Sequence, residues 1–252
     1  MRFLEKLDAG QTVIGPFSKT SDPSMIEAMG FAGFDFIIID LEHGPNSILN
    51  AQNLVRAAQI TGAFPIIRVP ENAASAIGKA LDIGAMGVQV PQISNAEQAN
   101  LAVEYAKFGP LGMRGVCRFV RAAEFSNKDR FAYFSEANKN YLILQLEGEE
   151  AIRNIEEIIQ VEHVNIIFLG PYDLSQALGV PGQINHPTVI EKIEYIVSLC
   201  QENSKKTGIF TDNLKDARKW RDLGIDYISY AVDVGIIQEA SKTIIREILK
   251  KI

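Results

Sequence analysis

The chain has 252 residues, of which 47% are hydrophobic and 22% charged, a balance that allows a sizeable core and excludes disordered or collagen-like classes. Its formal net charge of −6 offers no basic surface on which a nucleic-acid backbone could release counterions, so no nucleic-acid partner is expected. No run reaches the roughly 18 apolar residues of a membrane span, and the opening MRFLEKLDAGQTV lacks the apolar stretch of a signal peptide, so a cytoplasmic protein with small-molecule chemistry is expected.

Short apolar runs recur along the chain with helical stretches between them. They are TVIGPF (12–17), FDFIIID (34–40), FPIIRV (64–69), MGVQV (86–90), YLILQLE (141–147), NIIFLG (165–170), TGIFT (207–211) and YISYAV (227–232). Several are apolar at every position, as strands buried on both faces of a parallel sheet require. The intervening SILNAQNLVRAAQI, NAEQANLAVEYAKFG and NLKDARKWRDLG have helical period, and Gly closes several such segments as a C-cap. Eight β-α units in one chain of this length predict a single domain over 1–252, a closed (β/α)₈ barrel of the TIM type. Two longer interruptions, 108–140 and 179–187, are candidates for functional loops. Cys117 and Cys200 form no CxxC pair and read as reduced thiols.

Barrel enzymes work at the C-terminal ends of their strands. There the sequence places Asp40, Glu42 and His43 after strand 2, and Arg68 on strand 3. Gln145, Glu147 and Glu149 follow on strand 5, then Asp173 and Ser175 after strand 6. A carboxylate ending an apolar strand needs water, an ion pair or a metal. Because neighbouring parallel strands lie about 4.8 Å apart, Glu147 and Asp173 could share one cation, with Mg²⁺ or Mn²⁺ suited to all-oxygen ligation. The alternative is a hydrogen-bonded acidic pair on the rim. For His43 the two readings are a general base oriented by Asp40 or Glu42, and a structural imidazole. For Arg68 they are a contact to an anion or polarised carbonyl, and a salt bridge to Asp40 or Glu42. No strand run contains the Lys that a Schiff-base aldolase needs. The ends of strands 7 and 8, FTDN and YAVDVG, carry Asp where phosphate sites present glycine amides, which favours a keto-acid substrate.

The segments GFDFIIIDLEHGPNS, PIIRVP, ALDIGAMGVQVPQ, GPLGMRGVCR, LQLEGEEAIRNIEEI and IIFLGPYDLSQALGVPG together resemble the HpcH/HpaI family of metal-dependent pyruvate aldolases over nearly the whole chain. The resemblance implies Glu147 and Asp173 as metal ligands, with Mg²⁺, Mn²⁺ or Co²⁺ as the ion. It implies Arg68 on the ketone oxygen of pyruvate, Gln145 hydrogen-bonded to pyruvate, and the amides of Tyr172 and Asp173 on its carboxylate. His43 with Asp40 would be the base dyad, approached by Asp82 of a neighbouring subunit. The family's hexamers, with an exchanged C-terminal helix, imply a homo-oligomer, hexamer or trimer, and GIIQEASKTIIREILKKI is amphipathic enough to take part. Leu41, and Phe17 followed by Ser18, depart from the family pattern, and both are expected near the mouth. The implied reaction is reversible cleavage of a 4-hydroxy-2-oxo acid to pyruvate and an aldehyde. The rivals are an oxaloacetate decarboxylase and an inactive metal-stabilised binding protein.

Overall fold

A computed structural model describes residues 2–249. All eight runs form strands: β1 (Val13–Ser18), β2 (Phe36–Asp40), β3 (Phe64–Arg68), β4 (Gly87–Ile93), β5 (Tyr141–Leu146), β6 (Ile166–Leu169), β7 (Lys206–Thr211) and β8 (Tyr227–Val232). They pair in parallel in chain order and β8 closes on β1, so the expected (β/α)₈ barrel is the fold. Helices α1 (Arg2–Asp8), α2 (Pro23–Phe31), α3 (Ile48–Thr61), α4 (Ala74–Asp82), α5 (Ala96–Ala106) and α6 (Arg130–Ala137) belong to the first half. The second half has α7 (Gly148–Arg153), α8 (Ile155–Gln160), α9 (Pro171–Ala177), α10 (Pro187–Glu202), α11 (Leu214–Asp222) and α12 (Asp233–Leu249). The tail of the C-terminal segment singled out above, 250–252, lies outside the described residues, as does residue 1.

The strands are apolar on both faces because each face has its own layer. Phe36 and Ile38, Phe64 and Ile66, Ile143, Ile166 and Phe168 fill the barrel interior. Their neighbours Ile37, Ile39, Ile67, Leu142, Leu144 and Ile167 pack outward beneath the helices. Alternation along a strand then fixes the direction of the polar residues that follow. Asp40 continues the inward set of β2, Arg68 that of β3, and Gln145 and Glu147 that of β5. The pleat therefore turns these polar groups into the open end of the barrel.

The other end is closed. Phe3 of α1 is fully buried and stacks on Phe64 at 4.2 Å between centroids, with Phe36, Tyr141 and Tyr227 edge-on around it. Lys6 fastens the same helix to Asp35 at 2.7 Å. Where β1 meets the ring its register shifts between Gly15 and Phe17. A side chain at Gly15 would collide with the backbone oxygen of Phe36, so only glycine lets the strand approach so closely.

The long insertion 108–140 differs from expectation in its place. It lies between the end of α5 and the start of β5, which is the closed face of the barrel, opposite the strand ends that face the mouth. It has a small core of its own, Phe108, Ala123, Tyr133 and Ala137. The 179–187 loop, by contrast, follows α9 on the open side, where buried Ser175 donates to the Tyr172 carbonyl at 2.6 Å and accepts from the Gly182 amide at 2.9 Å.

Candidate active site

Asp40 and Arg68 are register partners on β2 and β3, and both are buried. Arg68 Nε and Nη2 donate to the two oxygens of Asp40 at 2.9 and 2.8 Å, the bidentate geometry that a guanidinium fork favours. Arg68 Nη1 lies 3.0 Å from Glu42 Oε2, and its plane covers the Phe17 ring at 4.5 Å. Burial raises the Asp40 carboxyl, but the hydrogen bonds and charge of Arg68, with the amides of His43 and Glu42, outweigh it and hold the group below the usual carboxylate range. Both salt-bridge partners foreseen for Arg68 are thus engaged at once. Asp40 takes two of the five guanidinium donors, and Nη1 stands within ion-pair distance of Glu42.

A second chain of polar groups runs along the inner wall. Gln89 of β4, fully buried, donates to Gln145 Oε1 at 2.5 Å, and Gln145 Nε2 donates in turn to Glu147 Oε1. Burial pushes the Glu147 carboxyl above its ordinary range. The Gln145 hydrogen bond opposes this, and the nearby charges of Glu42 and Asp173 reinforce it. Asp173 sits in the first turn of α9 and folds back over Gly170, where any side chain would strike its Oδ2. Helix geometry leaves the amides of Tyr172 and Asp173 without intrahelical acceptors. Glu147 and Asp173 line one cavity of about 340 Å³ with His43, Arg68, Gln145 and Tyr172. Two carboxylates that repel each other at a partly buried rim, both oxygen donors, fit a hard divalent cation. Among the described residues no group of three His, Cys, Asp or Glu side chains has metal-binding geometry, so such an ion would keep positions for other ligands.

Two expectations need revision. The Asp40 carboxylate does not reach the His43 imidazole. It accepts the backbone amides of Glu42 and His43 at 3.1 and 3.2 Å, because Arg68 on the adjacent strand already claims both oxygens. The carboxylate beside the imidazole is Glu42, 3.9 Å from Nε2, and the ring itself is 65% exposed. Asp82, at the end of α4, lies on the closed face and pairs with Arg114 at 2.6 Å, so within one chain it is far from His43. Leu41 packs against the outer hydrophobic layer rather than lining the mouth, whereas Phe17 does line it.

The sequence reading missed Lys19 and gave Glu42 no separate role. Lys19 directly follows β1 and lines the cavity. The Asp in YAVDVG, read as an obstacle to phosphate, is Asp233, whose buried carboxylate accepts from Ser18 Oγ, Thr20 Oγ1 and the amides of Lys19 and Thr20 at 2.7 to 3.1 Å. Burial raises this carboxyl and those hydrogen bonds outweigh it, holding it low. The one signal available was the run of hydroxyl residues in SKTS opposite an Asp at the far end of the chain.

A closed parallel barrel whose mouth gathers an Arg, a His and facing carboxylates defines a (β/α)₈-barrel enzyme of small molecules. The model of the HpcH/HpaI aldolase/citrate lyase family matches residues 13–240. A 5-keto-4-deoxy-D-glucarate aldolase of Escherichia coli (strain K12) is 35% identical over 242 residues, covering 96% of this chain and 94% of that one. This chain belongs to the HpcH/HpaI aldolase/citrate lyase family and is an enzyme of its aldolase and lyase type. A solved HpcH/HpaI aldolase/citrate lyase family protein from Burkholderia cenocepacia J2315 superposes with a TM-score of 0.91 at 28% identity over 98% of both chains. The citrate synthase SbnG is 28% identical over 96% of this chain and 95% of its own, with a TM-score of 0.85.

Proposed function

We propose that this chain reversibly cleaves a 4-hydroxy-2-oxo acid to pyruvate and an aldehyde, with a divalent cation, Mg²⁺ or Mn²⁺, held by Glu147 and Asp173. The observation that carries this reading is the convergence of Glu147, Asp173, Gln145, Arg68 and His43 on one cavity. The cation would supply Lewis-acid stabilisation of negative charge on the 2-oxo oxygen.

The chain's own groups account for the rest. Arg68 lines the same cavity and adds fixed positive charge at that oxygen, where electrons accumulate. Gln145, its amide oriented by Gln89 and Glu147, offers a remaining N–H to the oxo acid. The free amides of Tyr172 and Asp173 receive its carboxylate. In the cleavage direction the bond between C3 and C4 breaks, its electron pair passes to C3, and the proton of the 4-hydroxyl goes to His43. Return of a proton to C3 completes pyruvate. Asp40 positions Arg68 and the backbone of His43, while Glu42 is the carboxylate nearest the imidazole. Asp82 serves the mouth of a neighbouring copy in a homo-oligomer, since its own barrel holds it on the opposite face.

Pyruvate proton exchange in deuterated water with added Mg²⁺ or Mn²⁺, followed by aldol addition to a panel of aldehydes, tests this. Exchange and adduct formation are expected, with adduct formation lost in His43→Ala. Absence of exchange would leave an inert barrel. Decarboxylation of oxaloacetate without cleavage of any hydroxy-oxo acid, and with His43 dispensable, would make the enzyme a decarboxylase instead.

A further inference from the structure

The proposed reaction leaves the 179–187 loop without a role. None of its residues lines the cavity, yet it is bonded to residues that do. Ser175, fully buried, joins the two: its Oγ accepts the Gly182 amide at 2.9 Å and donates to the Tyr172 carbonyl at 2.6 Å. The Val180 amide donates to the Ser175 carbonyl at 2.9 Å, so the loop grips this residue by side chain and backbone alike. The far end of the loop is tied down separately. Asn185 donates to buried Asp216 of α11 at 3.3 Å and accepts from Lys219 of the same helix at 2.8 Å. With one end fastened to α11, the loop is a fixed support for Ser175.

A serine hydroxyl bonded to a carbonyl three residues earlier is common in helices. Here two further facts give it consequence. Its oxygen is held in turn by the loop amide of Gly182, at a φ of +77° that glycine adopts freely. The carbonyl it holds belongs to the peptide joining Tyr172 to Asp173, whose N–H is the amide of Asp173. This peptide is trans and planar, so pinning its oxygen pins the direction of the N–H on its opposite edge. A hydrogen bond accepted by the oxygen also polarises the unit and strengthens that N–H as a donor. Resting on the aldolase reading above, we propose that Ser175 is a positioning residue: clamped by the 179–187 loop, it holds the Tyr172–Asp173 peptide in the orientation that binds the carboxylate of the oxo acid.

Ser175→Ala tests this with Mn²⁺ present. KM for pyruvate in aldol addition should rise by about 3- to 10-fold, the size of one neutral hydrogen bond, and kcat should move less than KM. Mn²⁺ binding without substrate, followed by electron paramagnetic resonance, should stay close to that of the wild type. Ser175→Thr, which keeps the hydroxyl, should recover much of the affinity. An unchanged KM in Ser175→Ala, or equal losses in KM, kcat and Mn²⁺ binding, overturns the assignment. A wild-type measurement covers the case in which the variants do not fold. Because coupling between sites is reciprocal, pyruvate with Mg²⁺ should slow hydrogen exchange at the Val180 and Gly182 amides, and exchange there that ignores pyruvate overturns the assignment equally. Proton exchange into pyruvate, followed in the same wild-type preparation, separates the two failures. If pyruvate exchanges but KM in Ser175→Ala is unchanged, only the role of Ser175 falls, whereas no exchange into pyruvate removes the aldolase reading and this inference with it.

Discussion

Burial, together with the charges of Glu42 and Asp173, holds the Glu147 carboxyl above its ordinary range against the hydrogen bond from Gln145. A carboxyl whose folded pKa exceeds its unfolded one binds more protons folded than unfolded, so stability falls as pH rises through that window and stays lower above it. At neutral pH, with divalent ions chelated, Glu147→Gln should therefore melt above the wild type, while at about pH 4 the difference should vanish. Mn²⁺ should raise the wild-type Tm and leave the variant nearly unmoved, and aldolase activity should fall at least about 100-fold, in keeping with a lost ligand. A variant that melts lower under chelation would show that Glu147 is held by something other than relief of charge. Arg68→Lys gives a second test: a point charge cannot keep the bidentate Asp40 contact, so kcat should drop by about 10²- to 10³-fold in steady-state assays. Retained kcat would place the positive charge elsewhere. The four residues at strand ends were legible in sequence because an apolar strand has only two faces, so parity alone sends Asp40, Arg68, Gln145 and Glu147 inward. His43, Glu42 and Lys19 lie past the strand ends, where loop torsions rather than parity decide direction. The expected Asp40–His43 dyad failed for that reason, since the competing Arg68 is one strand away and invisible to local spacing.

All eight strands and most helices could be read from apolar runs and helical period, yet two elements had roles that periodicity could not announce. Helix α1 is too short for a clear pattern, but its Phe3 plugs the closed end among four aromatic rings. Phe3→Ala should cost about 3–5 kcal/mol in urea unfolding while leaving the kcat of the folded enzyme close to normal, and a loss below about 1 kcal/mol would mean that the end is sealed without it. Just before the insertion, buried Lys107 donates to the carbonyls of Asn138 and Asn140 at 2.9 and 2.6 Å, tying the end of α6 to the barrel. Burial first, and the charge of Arg114 second, bring this ammonium down to about 8. The unfolded chain then holds the proton where the folded one does not, so the wild type gains stability as pH rises from about 8 toward about 10.4. Lys107→Met, which leaves two carbonyls without a donor, should be destabilised by about 1–3 kcal/mol. The gap to the wild type should widen between about pH 8 and pH 10, and a gap independent of pH would show that the amine does not titrate in this window.

At the scale of the whole molecule, two features of the single chain remain unsatisfied. Helix α12 exposes Val234, Ile237, Ile244, Ile245, Ile248 and Leu249, and a run of apolar side chains on one helix face calls for a covering surface. Asp82 is a carboxylate of the proposed site on the opposite face of its own barrel, where Arg114 pairs with its Oδ1. One arrangement answers both, a closed homo-oligomer in which each copy covers the helix of another and lends Asp82 to a neighbouring mouth. Sedimentation should then give a multiple of the chain mass, and Ile244→Glu with Ile248→Glu should reduce it. Complementation separates shared sites from mere association. His43→Ala and Asp82→Ala oligomers are each expected to be nearly inactive. Once their subunits are allowed to exchange, a site with an intact His43 can receive an intact Asp82 from its neighbour, so random mixing should restore about a quarter of wild-type activity. Mass spectrometry confirms that exchange has occurred. Mixed oligomers that stay inactive would confine each site to one chain, leaving Asp82 as no more than the partner of Arg114 beneath the insertion.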